Sequence, residues 1–256
     1  MSEFISAQRE ADVLTITLDR PDKRNAVSNE MYAELSRLFL EASEDASVKV
    51  VVLRANGDAF CAGNDIDDFT AHPPTSRDAP VWQFLRALMC CDKPVVAVVQ
   101  GIATGIGTTL LLHCDIVYAA EDATFRLPFA SIGLTPEGLS TLLLPLLAGR
   151  QRASELLLLG SPFKATEAHA LGMVNSVVPK DALDSAVRDV TQRLSVLPNG
   201  VLRRTKRLIA DGMAALTERH FLAECDALAD AVTAPPAREA FAAFKEKRRP
   251  DFSRTQ

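Results

Sequence analysis

The sequence lacks the residue spacing that metal, nucleotide and nucleic-acid sites need. Its five cysteines form no C-x-x-C pair, and its four histidines are scattered without metal-ligand spacing. Acidic residues outnumber basic ones by 33 to 28, so no positive field favours nucleic acid. The glycines contain no G-x-G-x-x-G fingerprint of a dinucleotide site. We therefore expect no metal, no nucleotide cofactor and no nucleic-acid partner.

The sequence also predicts neither a secretion signal nor a membrane span. The first residues, MSEFISAQRE, contain no apolar signal segment, and an odd number of cysteines favours reduced thiols. The uncharged run over residues 94–114 is about as long as a membrane span, but its glycines, threonines, glutamine and histidine favour a buried core. The sequence therefore predicts a cytoplasmic protein with no membrane contact.

That uncharged run organises the rest of the chain. The 256 residues, 48% of them hydrophobic, suffice for one large α/β domain or a core with an appendage. Val95 to Val99 predicts a strand covered on both faces, followed by a turn with three glycines and a buried helix. A helix that begins after such a turn presents free N–H groups and the positive end of its dipole. This arrangement suits an anion or a developing oxyanion.

A second corner of the same kind occurs in the segment AFCAGNDIDDF, residues 59–69, where a strand end is followed by glycine and a helix start. Strand and helix patterns alternate up to about Pro179, and only helical patterns follow. We therefore divide the chain into a core over residues 1–196 and a helical assembly region over residues 197–256. Thr135, Pro136 and Glu137 predict a further helix start, in which Glu137 is an ordinary first-turn acid.

The two corners, with RPDKRNAV upstream and AFKEKRRPDF near the end, resemble the crotonase (enoyl-CoA hydratase/isomerase) superfamily over nearly the whole chain. The resemblance implies an α/β spiral of ββα units, with a C-terminal helical region that forms trimers or dimers of trimers. It implies an acyl-CoA thioester substrate and no separate cofactor, since coenzyme A is part of that substrate. It also implies that the backbone N–H groups of Asn64 and Ile106 bind the thioester oxygen.

Two departures from the family pattern bear on the reaction. The resemblance implies that hydratases of this family use two glutamates. This chain has Thr109 and Phe129 at the matching positions. Adding water needs a group that orients water and a group that delivers a proton, so hydratase activity is disfavoured. The family also has glycine where Ile106 stands, and we expect the isoleucine side chain to narrow the site.

A third carboxylate remains. The segment LPFASIGLTPEGLSTLLLP and the tripeptide GND resemble the Δ3,Δ2-enoyl-CoA isomerase branch, in which the glutamate of the PEG segment, here Glu137, is the single base. This implies an isomerase of fatty-acid β-oxidation that moves a 3-enoyl-CoA double bond to trans-2. Phe129, Ile132 and Leu134 would line an apolar pocket and raise the pKa of the base, while a helix N-terminus would oppose that rise. The sequence does not decide between these effects.

The resemblance also implies contacts to coenzyme A. The implied binding residues are Lys23, Arg24, Ala26, Ala62, Asn64, Asp65, Ile66, Gly105 and Lys247. Two alternatives stay open. One is another crotonase-fold reaction, either isomerisation of a ring-derived acyl-CoA or thioester hydrolysis. The other is a trimer that binds acyl-CoA without turnover.

Overall fold

Two β-sheets and the helices packed around them make up residues 2–255, the part of the chain that the computed structural model describes. The strands are β1 (Ile5–Glu10), β2 (Val13–Leu18), β3 (Val50–Ala55), β4 (Val95–Val99), β5 (Ile102–Thr104), β6 (Ile116–Ala120), β7 (Thr124–Arg126), β8 (Phe163–Lys164) and β9 (Ser176–Val178). The helices are α1 (Asn29–Glu44), α2 (Ile66–Ala71), α3 (Pro80–Cys90), α4 (Ile106–Thr109), α5 (Ser140–Ala148), α6 (Arg150–Leu159), α7 (Ala165–Ala170), α8 (Leu183–Ser195), α9 (Asn199–Asp211), α10 (Ala214–Thr233) and α11 (Pro235–Lys245).

The larger sheet has the strand order β1-β2-β3-β4-β6-β9 and is parallel except for the β1–β2 pair. All five residues of β4 are buried, because apolar layers cover both faces of the sheet. Val95, Ala97 and Val99 belong to the main core, whereas Val96 and Val98 belong to a second cluster that includes residues of α8. This alternation is the two-residue period of a strand, and it confirms the predicted doubly covered strand.

The smaller sheet changes the predicted path of the chain. We expected the glycine turn to lead from β4 directly into a helix, but β5 lies between them and pairs with β7 in a separate sheet. Gly101 makes the turn with φ +61°, and a Cβ there would lie 1.8 Å from the carbonyl oxygen of Asp58. The chain therefore leaves the large sheet at a glycine, the amino acid that fits beside the Asp58 carbonyl and readily adopts a positive φ.

The prediction that a helix begins at Thr135 is also wrong. Helix α5 begins at Ser140, after Gly138 (φ +67°) and Leu139 (φ +58°), both in the left-handed region. A helix that included Glu137 would need right-handed backbone at these two positions. Glu137 therefore lies in an irregular segment before the helix.

The helical C-terminal region is confirmed, since β9 ends at Val178 and only helices follow in the described residues. Helices α10 and α11 are not a separate layer, because Phe221, Leu228 and Phe241 belong to the main core. Helix α9 has no buried side chain, and Leu208 and Ile209 on it are exposed. The boundary at residue 196 and the assembly role of residues 197–256 stay predictions.

The turn at Gly101 is testable. Gly101→Ala places a methyl group against the Asp58 carbonyl and strains the backbone, so we expect a loss of about 3 kcal/mol or more in the free energy of unfolding. Gly200→Ala is the matched control, because no atom lies within 4 Å of a Cβ there. Since alanine favours helix over glycine, Gly200→Ala should gain up to about 1 kcal/mol. Urea unfolding measures both, and equal stabilities would contradict the argument.

Candidate active site

A cavity of about 620 Å³ lies where the loop around Lys23, the two glycine corners, the Glu137 segment and the C-terminal helices meet. It brings together most of the residues that the sequence predicts for the site. These are Lys23, Arg24, Ala26, Ala62, Asn64, Asp65, Ile66, Gly105, Phe129, Ile132, Leu134 and Glu137. Ile106 and Lys247 are not among the residues that line it.

The two glycine corners are held against each other by backbone hydrogen bonds. Cys61 and Ala103 form a parallel bridge, in which Cys61 N donates to Ile102 O at 3.0 Å and Thr104 N donates to Cys61 O at 2.9 Å. A Cβ at Gly107 would lie 2.6 Å from Cys61 O, so the corners approach this closely only with glycine there. The bridge fixes the geometry of one corner relative to the other.

The amides of Asn64 and Ile106 lie at these corners. Their neighbours are engaged, since Asp65 N donates to Val27 O and Gly105 N donates to Arg126 O. Across residues 2–255, neither the Asn64 nor the Ile106 amide donates to a backbone acceptor outside its own element. Ile106 is the first residue of α4, and the N–H of a first helical residue has no partner within the helix. Two backbone donors are thus free at the joined corners.

The side chain of Ile106 does not narrow the cavity. It is 1% exposed and belongs to the main hydrophobic core. The expectation of a narrower site is therefore wrong, because the chain at this corner directs the side chain into the protein interior. Its backbone amide directly follows Gly105, which does line the cavity.

Tyr32 is a site residue that the sequence did not reveal. Its hydroxyl donates to Asn64 Oδ1 at 2.6 Å from helix α1. Burial raises the pKa of Tyr32 well above its ordinary value, so the hydroxyl keeps its proton. The contact fixes the Asn64 side chain beside the corner. In the sequence, Tyr32 looks like any apolar position on the buried face of α1.

Glu137 is a buried carboxylate in the cavity wall, with 3% of its surface exposed. Thr109 Oγ1 donates to Glu137 Oε1 at 2.6 Å, whereas Oε2 has no hydrogen-bond partner in the described part of the chain. Burial raises the pKa of Glu137 to about 8, although the Thr109 hydrogen bond opposes the rise. Burial therefore decides the direction of the pKa shift, which the sequence left undecided. The expected helix N-terminus does not act on Glu137 as predicted, because α5 begins three residues later.

The backbone after Glu137 is held from a neighbouring helical turn. His113 lies after Thr109, and its Nε2 contacts Gly138 O at 2.8 Å. Burial lowers the pKa of His113 to about 4, so the imidazole is neutral at physiological pH and donates this hydrogen bond through an Nε2–H group. Thr109 and His113 thus hold one side of the segment that carries the carboxylate.

The cations near the cavity differ in their access to it. Lys23 and Arg24 line the cavity and are exposed. Arg20 forms a salt bridge with Asp65 at 2.7 Å, which connects the loop around Lys23 to the first glycine corner. Lys247 lies outside the cavity of its own chain, whereas Lys245 of α11 reaches Asp67 at 3.1 Å.

This geometry can be compared with known proteins. The sequence matches the enoyl-CoA hydratase/isomerase family over residues 8–255. The chain belongs to this family. It is 35% identical to 1,2-epoxyphenylacetyl-CoA isomerase of Escherichia coli (strain K12), over 99% of each chain. It is 36% identical to enoyl-CoA delta isomerase 2 of Homo sapiens, over 81% of this chain and 54% of that protein.

A solved structure gives the same result for the fold. The enoyl-CoA hydratase/isomerase from Pseudoalteromonas atlantica T6c aligns with a TM-score of 0.92 and 37% identity, covering 98% of this chain and 100% of that chain. The predicted crotonase family and its α/β fold are therefore confirmed, and members of this family act on acyl-CoA thioesters. Trimeric assembly and a cytoplasmic location stay predictions. None of the helices in residues 2–255 is long and apolar enough to cross a membrane.

The burial of Glu137 makes stability depend on pH. The folded state holds a proton on Glu137 up to about pH 8, whereas the unfolded chain releases it near its ordinary value of 4.5. The contribution of Glu137 is therefore fully present below pH 4.5 and is lost as pH rises through about 8. Because Glu137→Gln does not titrate, its stability relative to the wild type should increase over this window, on the order of 5 kcal/mol.

Urea unfolding of the wild type and Glu137→Gln at about pH 5 and about pH 9 measures this difference. Glu121→Gln, a change at an exposed acid, is the control and should show no such trend. A Glu137→Gln stability difference that is the same at both pH values would mean that Glu137 titrates normally.

Proposed function

We propose that the protein is a Δ3,Δ2-enoyl-CoA isomerase, which moves the double bond of a 3-enoyl-CoA to trans-2. The observation that carries the proposal is Glu137 Oε2, an unpaired oxygen of a buried carboxylate in the wall of the cavity. Moving a double bond needs one base that removes a proton from C2 and returns it to C4. Of the carboxylates that line the cavity, Glu137 is the buried one, and its raised pKa suits both proton transfers.

The joined corners supply the electrostatic part of the reaction. When Glu137 removes the C2 proton, negative charge moves to the thioester oxygen and gives an enolate. The amides of Asn64 and Ile106 would donate to this oxygen, and losing one such donor typically costs about 3–4 kcal/mol. Because both donors are backbone groups at a bridged corner, they are oriented before the substrate binds. Their positions do not depend on side-chain rotamers.

The roles of Thr109 and Phe129 fit an isomerase better than a hydratase. Thr109 binds one oxygen of Glu137 and so leaves the other for the substrate. Phe129 is buried and adds an apolar wall to the cavity. Neither side chain can orient a water molecule by accepting its proton at neutral pH. An apolar wall also keeps water away from the enolate.

Isomerisation of a ring-derived acyl-CoA is the second candidate. It is favoured by the full-length similarity to 1,2-epoxyphenylacetyl-CoA isomerase, which covers 99% of both chains. The same carboxylate and amides would serve this reaction, since it also removes a proton beside a thioester. Identification of the product from each substrate class separates the two candidates. Binding without turnover of either class would favour the acyl-CoA scaffold.

Turnover of 3-enoyl-CoA esters of several chain lengths is the direct test. The conjugated 2-enoyl thioester should form with the wild type, and Glu137→Gln should lower kcat by about a thousandfold because the base is lost. Since Glu137 must be ionised, kcat/KM should rise with pH and level off above about 8. Glu121→Gln should behave as the wild type. Full activity of Glu137→Gln would refute the proposed base.

Binding of coenzyme A tests the other end of the cavity. Lys23→Ala and Arg24→Ala should each weaken affinity by about twofold to fivefold at low salt, because exposed cations attract the phosphates modestly. Lys247→Ala should match the wild type, because Lys247 does not line the cavity of its own chain. Calorimetric titration measures all three. Weaker binding in Lys247→Ala would indicate that a neighbouring subunit supplies this lysine, and unchanged binding in Lys23→Ala would remove Lys23 from the site.

A further inference from the structure

A second buried carboxylate lies beside the segment that carries Glu137. Glu224 belongs to helix α10, is 6% exposed, and is far from Glu137 in the sequence. Its Oε2 accepts a hydrogen bond from Leu139 N at 2.6 Å, and its Oε1 accepts one from Thr141 N at 3.0 Å. Oε1 also accepts a hydrogen bond from Thr141 Oγ1. One side chain thus holds three donors of the segment that follows Glu137.

These contacts replace a local helix cap. The first amides of a helix have no partner within it, and usually a serine, threonine or aspartate at the cap position binds them. Helix α5 has Leu139 at that position, in left-handed backbone with no side-chain cap hydrogen bond. Glu224 supplies the missing acceptor and holds the strained Leu139 backbone. The segment between Glu137 and α5 therefore depends on a residue from the C-terminal region.

The hydrogen bonds of Thr141 extend this contact toward the surface. The threonine hydroxyl has one proton, and its donation to Glu224 leaves the oxygen to accept from His220 Nε2 at 2.7 Å. The His220 side chain is 33% exposed, whereas that of Glu224 is 6% exposed. A chain of donors thus runs from a partly exposed imidazole to the buried carboxylate. Burial raises the pKa of Glu224, and these donors oppose the rise.

Glu224 is the ionisable neighbour whose negative charge, when it is ionised, raises the pKa of Glu137. The other groups that face Glu137 are Thr109 of α4, Tyr32 of α1, Cys61 of the first corner and Cys225 of α10. Thr109 does not titrate, and burial raises the pKa of the tyrosine and of both thiols, so these groups stay neutral. Glu224 also accepts hydrogen bonds at the N-terminal, positive end of α5.

Resting on the proposed function, we propose that Glu224 is a positioning residue for the base: its carboxylate holds the amides of Leu139 and Thr141, and thereby fixes the segment that places Glu137 in the cavity wall. The carboxylate does this without touching the substrate. The C-terminal helical region then serves the site in two ways. Glu224 of α10 positions the base, and Leu228 and Phe241 line the cavity.

Glu224→Gln tests the proposal, since glutamine keeps the shape and one acceptor but loses the charge. We expect kcat to fall by about tenfold with KM for the CoA ester nearly unchanged. The acid limb of the kcat profile should also move to lower pH by about one unit, because a negative charge near Glu137 is removed. Glu224→Asp keeps the charge and should restore the position of the limb. Glu218→Gln, at an exposed acid of the same helix, is the matched control.

Infrared difference spectra of Glu137 give a readout that needs no turnover. The protonated-carboxyl band that disappears in Glu137→Gln is followed with pH in the wild type and in Glu224→Gln. We expect its midpoint near pH 8 in the wild type and lower in Glu224→Gln. If the wild type isomerises no enoyl-CoA but the midpoint still moves, the proposed function fails and the positioning role stands. An unchanged midpoint and an unchanged kcat in folded Glu224→Gln would overturn the proposal.

If Glu224→Gln does not fold, Glu224→Asp tests the hydrogen bonds of Glu224 alone, because it keeps the charge. The shorter side chain withdraws from Leu139 and Thr141, so kcat should fall while KM and the infrared midpoint stay close to wild type. A kcat equal to the wild type in Glu224→Asp would show that the contact with these amides does not position Glu137.

Discussion

The burial of one carboxylate without a cation beside it is the constraint on which the site depends. Glu137 costs the fold stability whenever it is ionised, because its Oε2 has neither solvent nor a partner in the described residues. That cost is what makes the group a strong base at the edge of an apolar cavity. Thr109, His113 and Glu224 hold its segment from both sides, since an unpaired buried group would otherwise move toward water. Stability and reactivity are thus opposed at this residue.

The two sheets serve this arrangement in different ways. The large parallel sheet is a core element, with β4 buried on both faces. The small sheet fixes the position of the second glycine corner, because β5 pairs with β7 and bridges to Cys61. A helix that followed β4 directly would lack the bridge between Ala103 and Cys61 that joins the two corners. The turn at Gly101 therefore separates the large sheet from the small sheet, which leads to the second glycine corner of the cavity.

Much of the fold follows from the sequence, and the part that does not depends on distant contacts. The apolar run of β4 is a local signal, and it predicts the strand over Val95 to Val99, as the structure has it. The start of α5 was misplaced because Thr, Pro and Glu satisfy every local rule for a helix start. The backbone at Leu139 is decided instead by Glu224, which no local pattern connects to it. The cavity residues were predicted through motifs, whereas the support from Tyr32 and Glu224 was not.

The placement of Ile106 has a consequence for how such proteins diverge. Its amide directly follows Gly105 of the cavity lining, but its side chain packs in the interior. A ligand at this corner meets the same peptide group whichever amino acid stands there. Selection on this position therefore acts through the volume of the core and not through the chemistry of the site. Related chains are free to exchange glycine for a larger apolar residue here, provided that the neighbouring core residues change in size with it.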